Sequence, residues 1–134
     1  MSQKNVSIIR GMYEAFKNGD YSSAIAPLHP EVVWQMAENF VYAGPKPKIG
    51  PEEVLKGFLR LVEEWEDFAV TPEELLDAGD TVVAKGYYTG KYRKNGKKVR
   101  AQFAHFYDMR DGRVIRFQQY TDTAQFRDVV GGRT

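Results

Sequence analysis

Apolar residues recur along this chain first with helical and later with strand periodicity. Val6, Ile9, Tyr13 and Phe16 fall three or four residues apart, on one stripe of a helix. Ser2 is placed to cap that helix and Asn18-Gly19 to end it. Asp20 then caps a short second helix carrying Ala24 and Ile25, closed by Pro27 and Pro30. Residues 31–36, Glu-Val-Val-Trp-Gln-Met, are β-branched and aromatic and read as a short strand. Proline and glycine punctuate residues 44–51, a loop. A second strong helix opens with Pro51 at its first position and with Glu52 and Glu53 in its first turn, where the helix dipole favours acids. Val54, Leu55, Phe58, Leu61, Val62 and Trp65 give it a wide apolar face.

Beyond this helix the period changes to that of strands. One begins at residues 68–70 and continues less regularly through Leu75-Leu76, to a turn at Ala78-Gly79-Asp80. Residues 81–91 and 99–109 flank Lys94-Asn95-Gly96-Lys97, and Asn-Gly supplies the positive φ angles that a two-residue hairpin needs. Arg110-Asp111-Gly112 is a second tight turn, and residues 114–121 form the last long strand. Thr123 or Asp122 caps a closing helix through Phe126, Val129 and Val130. Hairpin turns join these strands, not crossover helices. The order predicts an α+β fold with helices packed on one face of a curved antiparallel sheet.

Composition narrows the function. A chain of 134 residues with 43% hydrophobic residues is expected to be one domain over residues 1–134 with a core of its own. Nineteen basic against eighteen acidic side chains leave a net charge of +1, which argues against a nucleic-acid binder. The basic hairpin of Lys91, Arg93, Lys94, Lys97, Lys98 and Arg100 reads as a solvated tip that discourages edge pairing. The absence of cysteine removes disulfides, thiolate catalysis and cysteine-ligated zinc. No run approaches about 18 apolar residues, and the start of the chain lacks a signal-peptide layout, so a cytoplasmic protein without membrane contact is expected. Aromatic residues at 13% suit either a large packed core or an aromatic-lined cavity.

Two histidines carry most of the candidate chemistry. His29, between Leu28 and Pro30, reads as structural or exposed. His105 lies mid-strand, and alternation puts Phe103, His105 and Tyr107 on one face, where a buried imidazole needs hydrogen-bond partners. Counting back from the turn at Arg110 brings residues 116–120 opposite His105, with Asp122 slightly beyond. Asp122 shares its parity with Tyr120 and Gln118 rather than with Gln119, and capping of the last helix competes with any pairing to His105. The histidines lack the spacing of a metal site, and no Gly-x-Ser-x-Gly elbow or phosphate loop is present.

Tyr13-Glu14-Ala15-Phe16-Lys17-Asn18-Gly19-Asp20, Trp34, Ile49-Gly50-Pro51-Glu52-Glu53-Val54, His105, Asp111-Gly112-Arg113-Val114 and Tyr120-Thr121-Asp122 follow one another in an order that resembles the SnoaL-like polyketide cyclases and their ketosteroid-isomerase-like relatives. The resemblance spans nearly the whole chain. It implies the NTF2-like cone, a strongly curved sheet around a long helix with an apolar pocket inside. It also implies a cofactor-independent acid–base site, with Asp122 as the acid/base and His105 beside it. Tyr13, Trp34, Phe58 and Phe103 are then pocket lining, and residues 38–42, with Glu38 and Tyr42, lie near the mouth. Tyr13, Tyr42 or Gln119 is placed to steady a developing enolate. Where the ketosteroid isomerases keep their two acids, this chain reads Gln35-Met36-Ala37-Glu38 and Gln102-Phe103-Ala104. Steroid isomerisation is therefore disfavoured, and Glu38 is the carboxylate able to substitute if its loop bends inward. The leading expectation is an enzyme that shifts a proton next to the carbonyl of a small apolar or aromatic compound, working as a homodimer through the open face of the sheet. The alternative is a non-catalytic module that binds a small ligand or a protein, since the fold alone does not fix the chemistry.

Overall fold

The computed structural model describes residues 2–131, of Ser2 the backbone alone, so the cap expected of the Ser2 side chain lies outside the described residues. Helices α1 (Ser2–Lys17) and α2 (Tyr21–Ile25) precede strands β1 (Leu28–Gln35) and β2 (Lys48–Ile49) and helix α3 (Pro51–Glu64). Four long strands follow, β3 (Trp65–Ala78), β4 (Thr81–Tyr92), β5 (Lys98–Arg110) and β6 (Arg113–Thr121), and then helix α4 (Thr123–Val130). The strands make one open sheet in the order β2-β1-β6-β5-β4-β3. This is the expected α+β architecture. Irregularities in the ladders, at residues 66–69 and 72–74 of β3 and at Asp108/Met109 of β5, give the sheet its bend, because a bulge adds local twist.

The structure corrects the element boundaries at three places. β1 starts at Leu28 rather than at residue 31, because Leu28 already pairs with Val114 of β6; the ladder slips between Leu28 and Val33 and accommodates Pro30, which has no N–H to give. β1 runs parallel to β6, since the chain reaches β6 by crossing the whole sheet rather than by a hairpin. The proline-rich loop contains the two residues of β2, with Val33 opposite Ile49 and Trp34 opposite Lys48. Trp65, expected on the apolar face of α3, is extended (φ −122°, ψ 146°) and opens β3 directly after the helix. Its indole packs against Phe68, Tyr92 and Phe126.

Inward-facing residues of β4 and β5 alternate with outward ones as the period predicts: Val82, Ala84, Gly86 and Tyr88 on β4, and Val99, Ala101, Phe103, His105, Tyr107 and Met109 on β5. Ile9, Met12 and Tyr13 of α1 are buried, while on α3 only Val54 is. Phe58 and Leu61 of α3 stay half-buried because they border an internal cavity instead of a filled core.

β3 comes unusually close to β4 at its second bulge, and Gly86 makes that approach possible. A Cβ on Gly86 would meet the Thr71 carbonyl oxygen and lie 2.8 Å from the Pro72 Cα. Gly86→Ala is expected to cost about 1–3 kcal/mol of unfolding free energy in a urea titration. Gly11→Ala, at an exposed helical position with nothing within 4 Å, is expected to gain about 0.5–1 kcal/mol in the same measurement.

Candidate functional site

A cavity lies between the concave face of the sheet, helices α1 and α3, and the loop after β1. Its volume is about 100 Å³, enough for one small organic molecule. Of the residues expected at a site, Tyr13, Trp34, Tyr42, Phe58, His105 and Gln119 line it. Phe103, Glu38 and Asp122 do not. Phe103 is buried behind the wall, its ring stacked on the His105 imidazole with centroids 4.0 Å apart and planes 12° apart. Glu38 is exposed on the loop, so it does not substitute for an isomerase base.

Asp122 requires the main correction. The β5–β6 register puts Gln119 opposite His105, inside the window counted from the turn. The bulge at Asp108/Met109 resets the alternation of β6 so that Val114, Phe117 and Gln119 all face inward, while Tyr120 faces out. Asp122 has the parity of Tyr120 and is exposed. Its carboxylate accepts from the Gln125 backbone N–H at 3.3 Å and from the Gln125 side-chain amide at 2.9 Å, as the N-cap of α4. The expected His105–Asp122 pair is therefore replaced by a helix cap on one side and a different histidine environment on the other.

His105 is held by phenols. The Tyr13 hydroxyl lies 2.7 Å from Nδ1 and the Tyr88 hydroxyl 2.6 Å from Nε2. Tyr107 donates to the Tyr13 oxygen at 2.9 Å, and the Gln119 side-chain amide donates to the Tyr88 oxygen at 2.8 Å. The Gln119 carbonyl oxygen accepts from the Ala37 backbone N–H at 3.1 Å, which orients the amide. One continuous chain thus runs from Tyr107 to the backbone of the loop after β1, and its three hydroxyl-bearing residues, its histidine and its glutamine all line the cavity. Tyr88 was not singled out by the sequence reading. Its signal is the alternation Ala84, Gly86, Tyr88 on β4: the two small residues stand opposite His105 and Phe103 and leave room for their rings, and Tyr88 reaches across to Nε2.

Burial controls the protonation of this chain. Desolvation lowers the His105 pKa to about 3, so the imidazole is neutral near pH 7. Burial raises the phenols of Tyr13, Tyr88 and Tyr107 above their ordinary value, so they too stay protonated. Among the described residues no carboxylate lines the cavity; the charged lining is Lys48 and Arg60.

A second hydrogen-bonded cluster surrounds Tyr42. The Trp65 indole N–H donates to the Tyr42 hydroxyl at 2.8 Å, and that hydroxyl donates to Glu64 at 2.7 Å. Arg60 donates to the other Glu64 oxygen at 3.0 Å and lies 4.8 Å from the Tyr42 ring centre. Burial alone would raise the Glu64 pKa, but the hydrogen bonds from Tyr42 and Arg60 outweigh it and hold the carboxyl below its usual range. These contacts fasten the loop after β1 to α3.

An apolar cavity between a curved sheet and its helices, with polar groups on the strands at its base, defines a class of small-molecule pocket proteins. The chain belongs to the SnoaL-like domain family, whose model matches residues 9–117. Solved structures share the NTF2-like fold over almost the entire chain. An NTF2-like protein from Burkholderia thailandensis is 31% identical with a TM-score of 0.88, covering 94% of this chain and 96% of that one. TerC, co-crystallised with polyporic acid, is 27% identical with a TM-score of 0.82 and coverages of 95% and 98%. IdmH from Streptomyces antibioticus, a candidate polyketide cyclase, shares the fold at 20% identity, a TM-score of 0.79 and coverages of 95% and 98%. No curated protein sequence matches. No helix among the described residues is long and apolar enough to cross a membrane.

The neutral imidazole makes stability depend on pH. As pH falls through about 6.5 the unfolded chain protonates His105, while the native chain does so only near 3. Unfolding therefore becomes easier on acidification, by at most about 1.4 kcal/mol per pH unit from this group. Urea midpoints between about pH 7 and about pH 4 are expected to fall in the wild type and to fall less steeply in His105→Gln, the difference in slope cancelling the carboxylates and His29.

Proposed function

We propose that the cavity takes a small, planar, largely apolar carbonyl compound and that the buried phenols assist a proton shift next to its carbonyl group. The observation that carries this reading is the placing of neutral hydroxyl donors, on Tyr13 and Tyr88, on either side of His105 in an otherwise aromatic cavity. A hydrogen bond to a carbonyl oxygen is stronger there than in water, and a preorganised donor stabilises the enol-like charge that develops on that oxygen. The co-crystallisation of TerC with polyporic acid supports a small-molecule ligand for this chain.

The lack of any lining carboxylate among the described residues favours a second reading, a binding module without turnover. The two separate on a generic probe, 2-tetralone in deuterium oxide, with loss of the protons beside the carbonyl followed by NMR. Catalysis predicts acceleration by the wild type, at least a tenfold loss in Tyr88→Phe, and no loss in Asp122→Ala, whose cost is a helix cap of about 0.5–2 kcal/mol in stability. Saturable binding with no acceleration selects the binding module.

We further infer a homodimer through the outer face of the sheet. Phe106 and Tyr120 stand there edge to face, 5.8 Å between centroids and 38% and 55% exposed. Light scattering on the eluting protein is expected to give twice the chain mass for the wild type and the single-chain mass for Tyr120→Glu; a wild-type monomer removes the inference.

A further inference from the structure

We propose that His105 is a tautomeric switch that carries a proton between Tyr88 and Tyr13, so that the cavity holds a neutral relay with two ends facing one ligand.

Proton counting leads to it. Tyr107, Tyr13, Tyr88 and a neutral His105 bring four exchangeable protons to three contacts: Tyr107 to Tyr13 at 2.9 Å, Tyr13 to Nδ1 at 2.7 Å, and Nε2 to Tyr88 at 2.6 Å. The Gln119 amide brings its own proton to Tyr88, and its orientation is set by the Ala37 N–H. One proton is left over. A neutral imidazole has one N–H, so its nitrogens cannot both accept. With Tyr107 donating to Tyr13, two arrangements remain. With the proton on Nε2, Tyr88 accepts from both Gln119 and His105, and the Tyr88 hydroxyl proton is unshared. With the proton on Nδ1, Tyr13 accepts from both Tyr107 and His105, and the Tyr13 hydroxyl proton is unshared. In each case the oxygen's acceptor sites are filled by protein donors, and the residue carrying the spare proton lines the cavity. Burial keeps all four groups in their neutral forms, so the two arrangements differ in proton position and not in charge.

A carbonyl ligand couples to this switch; that step rests on the function proposed above. Starting from the Nε2–H arrangement, the Tyr88 hydroxyl gives its proton to the carbonyl oxygen and takes the Nε2 proton. Nδ1 takes the Tyr13 hydroxyl proton, and the Tyr13 oxygen takes a proton from the carbon beside the carbonyl. The C–H electron pair becomes the C=C bond of the enol, and the carbonyl π pair becomes its O–H bond. Every group ends neutral and the chain ends as the Nδ1–H tautomer. Return of a proton from Tyr13 to a different carbon of a conjugated enol resets the relay and completes an isomerisation. The relay needs no carboxylate, in keeping with a cavity that has none among its described lining residues.

Nitrogen-15 NMR of the imidazole tests the switch without any ligand. Both His105 ring nitrogens are expected at shifts intermediate between protonated and bare, unchanged from about pH 5 to about pH 9. In Tyr88→Phe, Nε2 loses its phenol partner, and the mixture is expected to collapse to the Nδ1–H form that donates to Tyr13. One nitrogen carrying the proton throughout in the wild type overturns the proposal, as does a mixture that Tyr88→Phe leaves unchanged or an imidazole that titrates near its ordinary pKa. Mixed tautomers without exchange of 2-tetralone leave the switch standing and remove the carbonyl chemistry. Exchange with a fixed tautomer does the reverse.

Discussion

An uncharged imidazole buried between two phenols is the constraint around which this molecule is arranged. His105 sits in the middle of the sheet's concave face, where a charge would be very costly and an unpaired nitrogen would cost about 1–3 kcal/mol. Tyr13 from the first helix and Tyr88 from the neighbouring strand satisfy both nitrogens, and Tyr107 and Gln119 extend the bonding to either side. Among the described residues no buried side-chain nitrogen or oxygen is left without a partner. The polar chain therefore joins α1, β4, β5, β6 and the loop after β1, and it fixes how the helix sits on the sheet.

The cavity follows from the same arrangement. Tyr88 packs tilted on Phe103, 4.8 Å between centroids, and α3 meets the rings around His105 with Phe58 and Leu61 without filling the space between. Phe16 and Trp34 pack edge-on to Phe58, with centroids 5.1 and 6.1 Å away, and prop the helix at this distance. Tyr42, Arg60 and Glu64 fasten the loop to the helix. The site is thus hydrogen-bonded at its base, and a second hydrogen-bonded cluster joins the loop to α3.

One irregularity in one ladder decides which carboxylate or amide reaches the site. Without the slip at Asp108/Met109, Val114 and Phe117 would face opposite sides of β6. With it, Gln119 enters the cavity and Asp122 turns outward to cap α4. Asp122 thereby serves helix capping, and the hydrogen bonding at the cavity base is left to neutral side chains. For this reason fold membership by itself does not fix the chemistry of the cavity.

The order of elements apart from β2, the alternation of β4 and β5, the capping role open to Asp122, and the inward face carrying Phe103, His105 and Tyr107 were legible in the residues themselves, because each depends on periods of two or three to four residues and on local turn chemistry. The family was legible too, from motifs kept in order along the chain. Which groups meet His105 was not. Tyr13 lies 92 positions away and Tyr88 lies 17 positions away on another strand, and only the register and curvature of the sheet bring them to the two ring nitrogens. The parallel pairing of β1 with β6 and the departure of Trp65 from the helix have the same origin: each is set by a long-range pairing, which has no local signature in composition or spacing.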